Sequence, residues 1–168
     1  ILEGRRTFAN SLKYIFTTTS ANFGNMLSMA VASFFIPFLP LLAKQVLLNN
    51  FMSDLPALAI AGDRVDEEMI ARPHRWSTPF IRSFMVVFGL VSAVFDFLTF
   101  GILLGPFHAS PALFRTGWFV ESLLTELLVA LVVRTRRPFF KSRPGDWLLW
   151  STIGGSALAL ALPYLGLT

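Results

Sequence analysis

A chain of 168 residues that is 54% hydrophobic and 14% charged falls well short of the roughly 25% charged residues usual in a soluble domain, and its mean hydropathy of +0.63 places it among membrane proteins. The absence of cysteine excludes disulfides and thiolate metal sites, so a bound metal would need hard oxygen ligands. The formal charge of +4 comes from basic residues flanking apolar runs, which set topology; nucleic acid is not an expected partner.

The apolar pattern predicts an all-α fold, a polytopic membrane helix bundle of about five transmembrane helices, at about 20 residues per crossing. Residues 1–20 form a polar lead, helical from Thr7 onward, expected to be a cytoplasmic stalk. Its opening, Ile1-Leu2-Glu3-Gly4-Arg5-Arg6, has no signal-peptide pattern and reads as the middle of a longer polypeptide. The first span, about 22–42, begins within Ser20-Ala21-Asn22-Phe23-Gly24-Asn25. Asn22 and Asn25 are i, i+3 neighbours whose amide oxygens either converge on a ligand or bond between helices.

A tight Pro37/Pro40 turn leads to the second span, about 44–61 and interrupted at Pro56. Here Asn50, Ser53 and Asp54 sit at i, i+3 and i+4, so they share one helix face. A carboxylate at bilayer depth is costly and reads by default as an ion or proton site. Asp54 lies about 15 Å along the helix from Lys44, and the span interiors hold no Lys or Arg to pair with it. Pro56 removes a backbone donor and is expected to open the helix, freeing carbonyls to join the side-chain oxygens.

The loop at about 62–79 is rich in charge, with Asp63, Arg64, Asp66, Glu67, Glu68, Arg72 and Arg75. The third span, about 80–104, carries Asp96, read either as a hydrogen-bonded structural group or as a ligand. A nearly neutral turn, Gly105 to Pro111, precedes the fourth span at about 117–133. Within it Glu121 is expected at the outer interface, solvated, while Glu126 is deep enough to lie in or beside an ion pathway. The loop at about 134–145 opens Arg134-Thr135-Arg136-Arg137. It marks the cytoplasmic interface, with anionic lipid as a candidate partner of Arg134, Arg136 and Arg137. The fifth span is about 146–164.

Twelve of the fourteen Lys and Arg residues fall on the side of the N-terminus, which the positive-inside rule puts in the cytoplasm. His74 and His108 lie in separate loops, so no histidine metal site is expected. No phosphate-binding glycine loop and no Ser/His/Asp arrangement occurs, and the chain alone is expected to be inactive as an enzyme.

The order of Leu2-Glu3-Gly4-Arg5-Arg6-Thr7-Phe8-Ala9-Asn10, Ser20 to Asn25, and Asn50-Phe51-Met52-Ser53-Asp54-Leu55-Pro56 resembles the stalk and the fifth and sixth membrane helices of P-type cation ATPases. Arg75-Trp76, Phe95-Asp96-Phe97-Leu98-Thr99-Phe100, Gly117-Trp118-Phe119-Val120 and Arg134-Thr135-Arg136-Arg137 look like the bacterial magnesium-transporting branch. The resemblance covers essentially the whole chain and implies helices five to nine of such a pump. It implies that Asn22, Asn25, Asn50, Ser53 and Asp54 occupy cation-coordinating positions, with Glu126 near the eighth-helix position. Calcium pumps of the superfamily have an acidic residue where this chain has Asn25. A site with fewer charges suits Mg²⁺, which keeps several waters.

On this resemblance Mg²⁺ is the transported ion and the bacterial inner membrane the location. ATP acts only through upstream domains, and the partner is the remainder of the ATPase, including four earlier helices and a tenth. The alternative is a stand-alone membrane scaffold or regulatory protein derived from such a transporter. A secondary transporter would call for inverted repeats, and the sequence shows none.

Overall fold

A computed structural model describes residues 1–71 and 76–165; the loop residues Arg72, His74 and Arg75 named above lie outside them. Helix α1, Leu2–Phe35, joins the stalk lead and the first span into one helix of 34 residues, about 51 Å long. It stops at Phe35, short of the expected Leu42. The proline ring at position 37 disfavours helical backbone in the residue before it, and Ile36 is extended, with φ −105° and ψ 126°.

Helix α2, Ala43–Ala59, starts where the Gln45 side chain reaches back to accept from the Leu42 N–H at 2.9 Å, satisfying one donor of the first turn. Contrary to expectation, Pro56 does not open it. The helix continues past the proline to Ala59 and tightens into a 3₁₀ turn over Ile60–Gly62. The missing N–H near the C-terminal end leaves the carbonyl four residues earlier, at Met52, without its helical donor.

After a short helix α3, Glu67–Ala71, come α4, Thr78–Leu104, α5, Pro111–Val133, and α6, Asp146–Ala161, with a 3₁₀ turn to Leu165. Helix α5 begins six residues before the expected Gly117 because Ser110-Pro111 is a start signal. The Ser110 hydroxyl accepts from the Leu113 N–H at 3.3 Å, and proline fits the first helical position.

Among the described residues three helices are long and apolar enough to cross a membrane: α4, α5, and α6 with its 3₁₀ extension. This is fewer than the five expected. Helix α2 has 17 residues, and polar groups dilute the apolar character of both α1 and α2.

Helix α1 lies chiefly along α4, α2 packs on α5 and α6, and α5 touches α1, α2, α4 and α6. Helix α5 is therefore the hub, and it buries Phe114, Trp118, Phe119, Leu123 and Leu127. The Phe100 and Trp118 rings meet edge-on with centroids 4.8 Å apart, a favoured aromatic geometry.

Gly24 and Gly89 face each other across the α1–α4 contact. A Cβ on Gly24 would lie 3.0 Å from the Ser92 Cβ and 3.2 Å from the Gly89 carbonyl, the close approach that small residues permit between membrane helices. Gly24→Leu is expected to force the helices apart at a cost of about 1–3 kcal/mol. Gly154→Leu, where a Cβ meets nothing within 4 Å, should be tolerated. Thermal unfolding of the two variants in detergent checks this; equal effects would contradict it.

Candidate cation site

Thr17, Thr18 and Asn22 from α1, Asn50, Ser53 and Asp54 from α2, and Glu126 from α5 line a cavity of about 220 Å³. It is open where Asn22, Asn50 and Asp54 are exposed. Five of the six residues expected at a cation site thus share one space, and no Lys or Arg lines it. Its donors are two carboxylates with neutral amide and hydroxyl oxygens, a hard set that suits Mg²⁺ or Ca²⁺. No group of three or more acidic or histidine side chains converges among the described residues, so neutral oxygens dominate.

Asn25, the sixth, turns the other way. Its Oδ1 accepts from the Ser122 hydroxyl at 2.9 Å, and it lines a second cavity of about 190 Å³ with Ser20, Ser92, Ser122, Thr125 and Glu126. Glu126 borders both cavities. Its neighbours include Asn25, Ser53 and Asp54, and its Oε2 accepts from Asn49 Nδ2 at 3.0 Å. Sequence reasoning passed over Asn49, which is 4% exposed. Asn49 precedes Asn50 and points about 100° away around the helix, toward α5 rather than with Asp54. Its i, i+4 spacing from Ser53 was the available signal.

Two other acidic residues make contacts away from this cavity. Asp96, 2% exposed, accepts from the Ser28 hydroxyl at 2.5 Å and from Trp118 Nε1 at 2.8 Å. It braces α1, α4 and α5, the arrangement expected of a hydrogen-bonded structural group. Glu121 is not solvated as expected. One oxygen accepts from Thr125 Oγ1 at 3.0 Å, the other is buried with no donor, and Asp96 lies beside it. The cause is the hub position of α5, which buries Trp118, Phe119, Ser122 and Leu123 around Glu121.

At the end of the bundle that carries Lys13 and Arg134, a buried network ties the loops together. The Asp63 carboxylate, fully buried, pairs with Lys13 Nζ at 2.7 Å and the Arg134 guanidinium at 3.3 Å, and accepts from the Gly145 N–H at 2.7 Å. Asn10 Nδ2 donates to the carbonyls of Ala61 and Asp63, both at 3.0 Å. Arg134 also donates to the Ser142 carbonyl. Burial pushes the Lys13 ammonium below its ordinary pKa despite the Asp63 partner. Burial works against the Asp66 carboxylate too. Hydroxyl donors from Thr135 and Ser142, with Arg137 nearby, outweigh it and hold Asp66 below the ordinary range.

This network corrects one part of the lipid expectation. Arg134 is 1% exposed and out of a headgroup's reach, because its charge is spent on Asp63. Arg137 grips Glu68 through Nε at 3.0 and 3.1 Å at the surface, and Arg136 is exposed.

Residues 38–168 match the family model described as "Cation transporting ATPase, C-terminus". The chain is 45% identical, over 98% of its length, to "Magnesium-transporting ATPase, P-type 1" of Salmonella typhimurium strain LT2. It is 44% identical over the same share to the protein of that name from Escherichia coli K12. To the "Calcium-transporting ATPase" of Bacillus subtilis strain 168 it is 27% identical, again over 98%. The chain spans 19% of the length of each of these relatives.

Proposed function

Because the chain belongs to the cation-transporting ATPase family, in that family's C-terminal region, we propose that it supplies the transport site of a P-type pump whose ATP chemistry is carried by upstream domains. The cargo is Mg²⁺. Asp54 and Glu126 supply the charge, and Asn22, Asn50 and Ser53 supply neutral oxygens from the same cavity. Asn25 acts from the far side of Glu126. The observation that carries the reading is the shared cavity itself: two carboxylates from different helices face it, with no basic residue to neutralise them. Few carboxylates and ample room suit an ion that keeps part of its water shell.

Helices α1 and α2 join the three apolar helices in crossing the membrane, their polar residues gathered at the site. At about 51 Å, α1 can cross a hydrocarbon core of about 30 Å and still project as a stalk. The cytoplasmic end is the one carrying Lys13, Arg134 and Arg136, in keeping with the charge bias, and the membrane is the bacterial inner membrane. Phosphorylation upstream would shift the helices between states. The site contributes to transport only if it binds the ion more tightly in one of them.

The test is ATP-driven ion flux by the full-length ATPase in proteoliposomes. Mg²⁺ flux, with Ca²⁺ carried poorly, is expected. Ca²⁺ flux without Mg²⁺ flux would overturn the ion assignment, and no ATP-driven flux of either would overturn the pump reading.

A further inference from the structure

Glu126 stands between two cavities, one holding Asn22, Asn50 and Asp54, the other Asn25, Ser122 and Thr125. A glutamate side chain has enough rotamers to serve either, so something must set its direction. We infer that Asn49 is a positioning residue that holds the Glu126 carboxylate toward α2 and the Asp54 cavity. The inference rests on the reading of Glu126 as a cation ligand.

Three observations carry it. Asn49 Nδ2 donates to Glu126 Oε2 at 3.0 Å, across the α2–α5 contact. Asn49 is 4% exposed and belongs to the buried stripe of α2 with Gln45, Met52 and Pro56, so it has little freedom to swing away. Its own Oδ1 is buried without a hydrogen-bond partner. The opposite amide orientation would set that oxygen against the carboxylate, acceptor against acceptor, so bonding to Glu126 dictates the arrangement.

A packing role alone does not account for asparagine here. A leucine of similar volume would fill the space without a stranded carbonyl. The amide is explained if its donor is needed. With Oε2 held by Asn49 and only the neutral groups of Ser53 and Asn25 also in reach of the carboxylate, Glu126 keeps its charge for a cation or its water, and the side chain is ordered before the ion arrives. Such pre-ordering lowers the cost of binding.

The experiment is ATP-driven Mg²⁺ flux by the full-length ATPase, with KM for Mg²⁺ and kcat determined separately. Asn49→Leu is expected to raise KM about tenfold with kcat within about twofold, and Asn49→Gln, which retains the amide donor, to recover most of the loss. In a Glu126→Gln background the Asn49→Leu effect should vanish, since the two act as one unit. Should Asn49→Leu fail to assemble, Asn49→Ser, too short to reach Glu126, takes its place with the same expected rise. A Glu126→Gln variant with unchanged KM would overturn the ligand reading of Glu126. A weakened Glu126→Gln, with Asn49→Leu either silent or fully additive to it, would overturn the positioning role alone.

Discussion

Asp63→Asn is expected to destabilise the protein by about 3–5 kcal/mol, the usual effect of breaking a buried ion pair from one side. Asp63 compensates two cations that are themselves buried, Lys13 and Arg134 at 2% and 1% side-chain exposure. An amide in its place leaves both charges in a poorly solvated space. Lys13→Met should cost less, because Asp63 keeps Arg134 and the Gly145 N–H. Glu68→Gln, on the exposed pair with Arg137, should have no measurable effect. Thermal unfolding in mild detergent ranks the three, and an Asp63→Asn protein as stable as wild type would contradict the account.

The neighbouring Asp66 adds a pH dependence with a defined sign. Its folded pKa lies below the ordinary 3.8, so its stabilisation is full above that value and is lost as pH falls through the lower folded one. The gap in stability between wild type and Asp66→Asn should therefore close in strong acid.

Asp54→Asn is expected to weaken Mg²⁺ binding by the full-length ATPase roughly 100-fold, or about 2.7 kcal/mol, while leaving assembly intact. Asp54 is exposed on α2 and takes part in no ion pair among the described residues, so removing its charge breaks nothing that holds the helices together. What it removes is one of two carboxylates facing the cavity. Asp96→Asn should behave in the opposite way: bonded to Ser28 and Trp118, it should cost stability with little change in affinity. Calorimetric Mg²⁺ titration without nucleotide, beside a thermal scan, separates the two. Equal affinity in Asp54→Asn and wild type would remove Asp54 from the site.

The parts of this arrangement visible in the sequence are those governed by local period. The 3.6-residue repeat puts Asn50, Ser53 and Asp54 on one face in the sequence and around one cavity in the structure. The runs behind α4, α5 and α6 are apolar enough to read directly. Pro37 stops α1 as its ring requires, although seven residues before the expected end.

Tertiary packing decided the rest. Which neighbour a helix face meets is not a local property, so Asn25 bonds Ser122 instead of joining Asn22, and Glu121 is covered rather than solvated. Asn49 escaped notice because nothing local marks α5 as its partner. The Asp63 network was hidden for the same reason: its members lie in α1, the loop after α2, the end of α5 and the loop before α6. In sequence they read as ordinary interface charges.

The most direct test of the central claim is to locate the ion. Mn²⁺, which shares the preference of Mg²⁺ for six oxygens, can replace it in the full-length ATPase and be found by its anomalous scattering. The account predicts a peak in the cavity bounded by Asn22, Asn50, Ser53, Asp54 and Glu126. A peak elsewhere in the membrane region, beside Asp96 and Glu121 for instance, with this cavity empty, would contradict it.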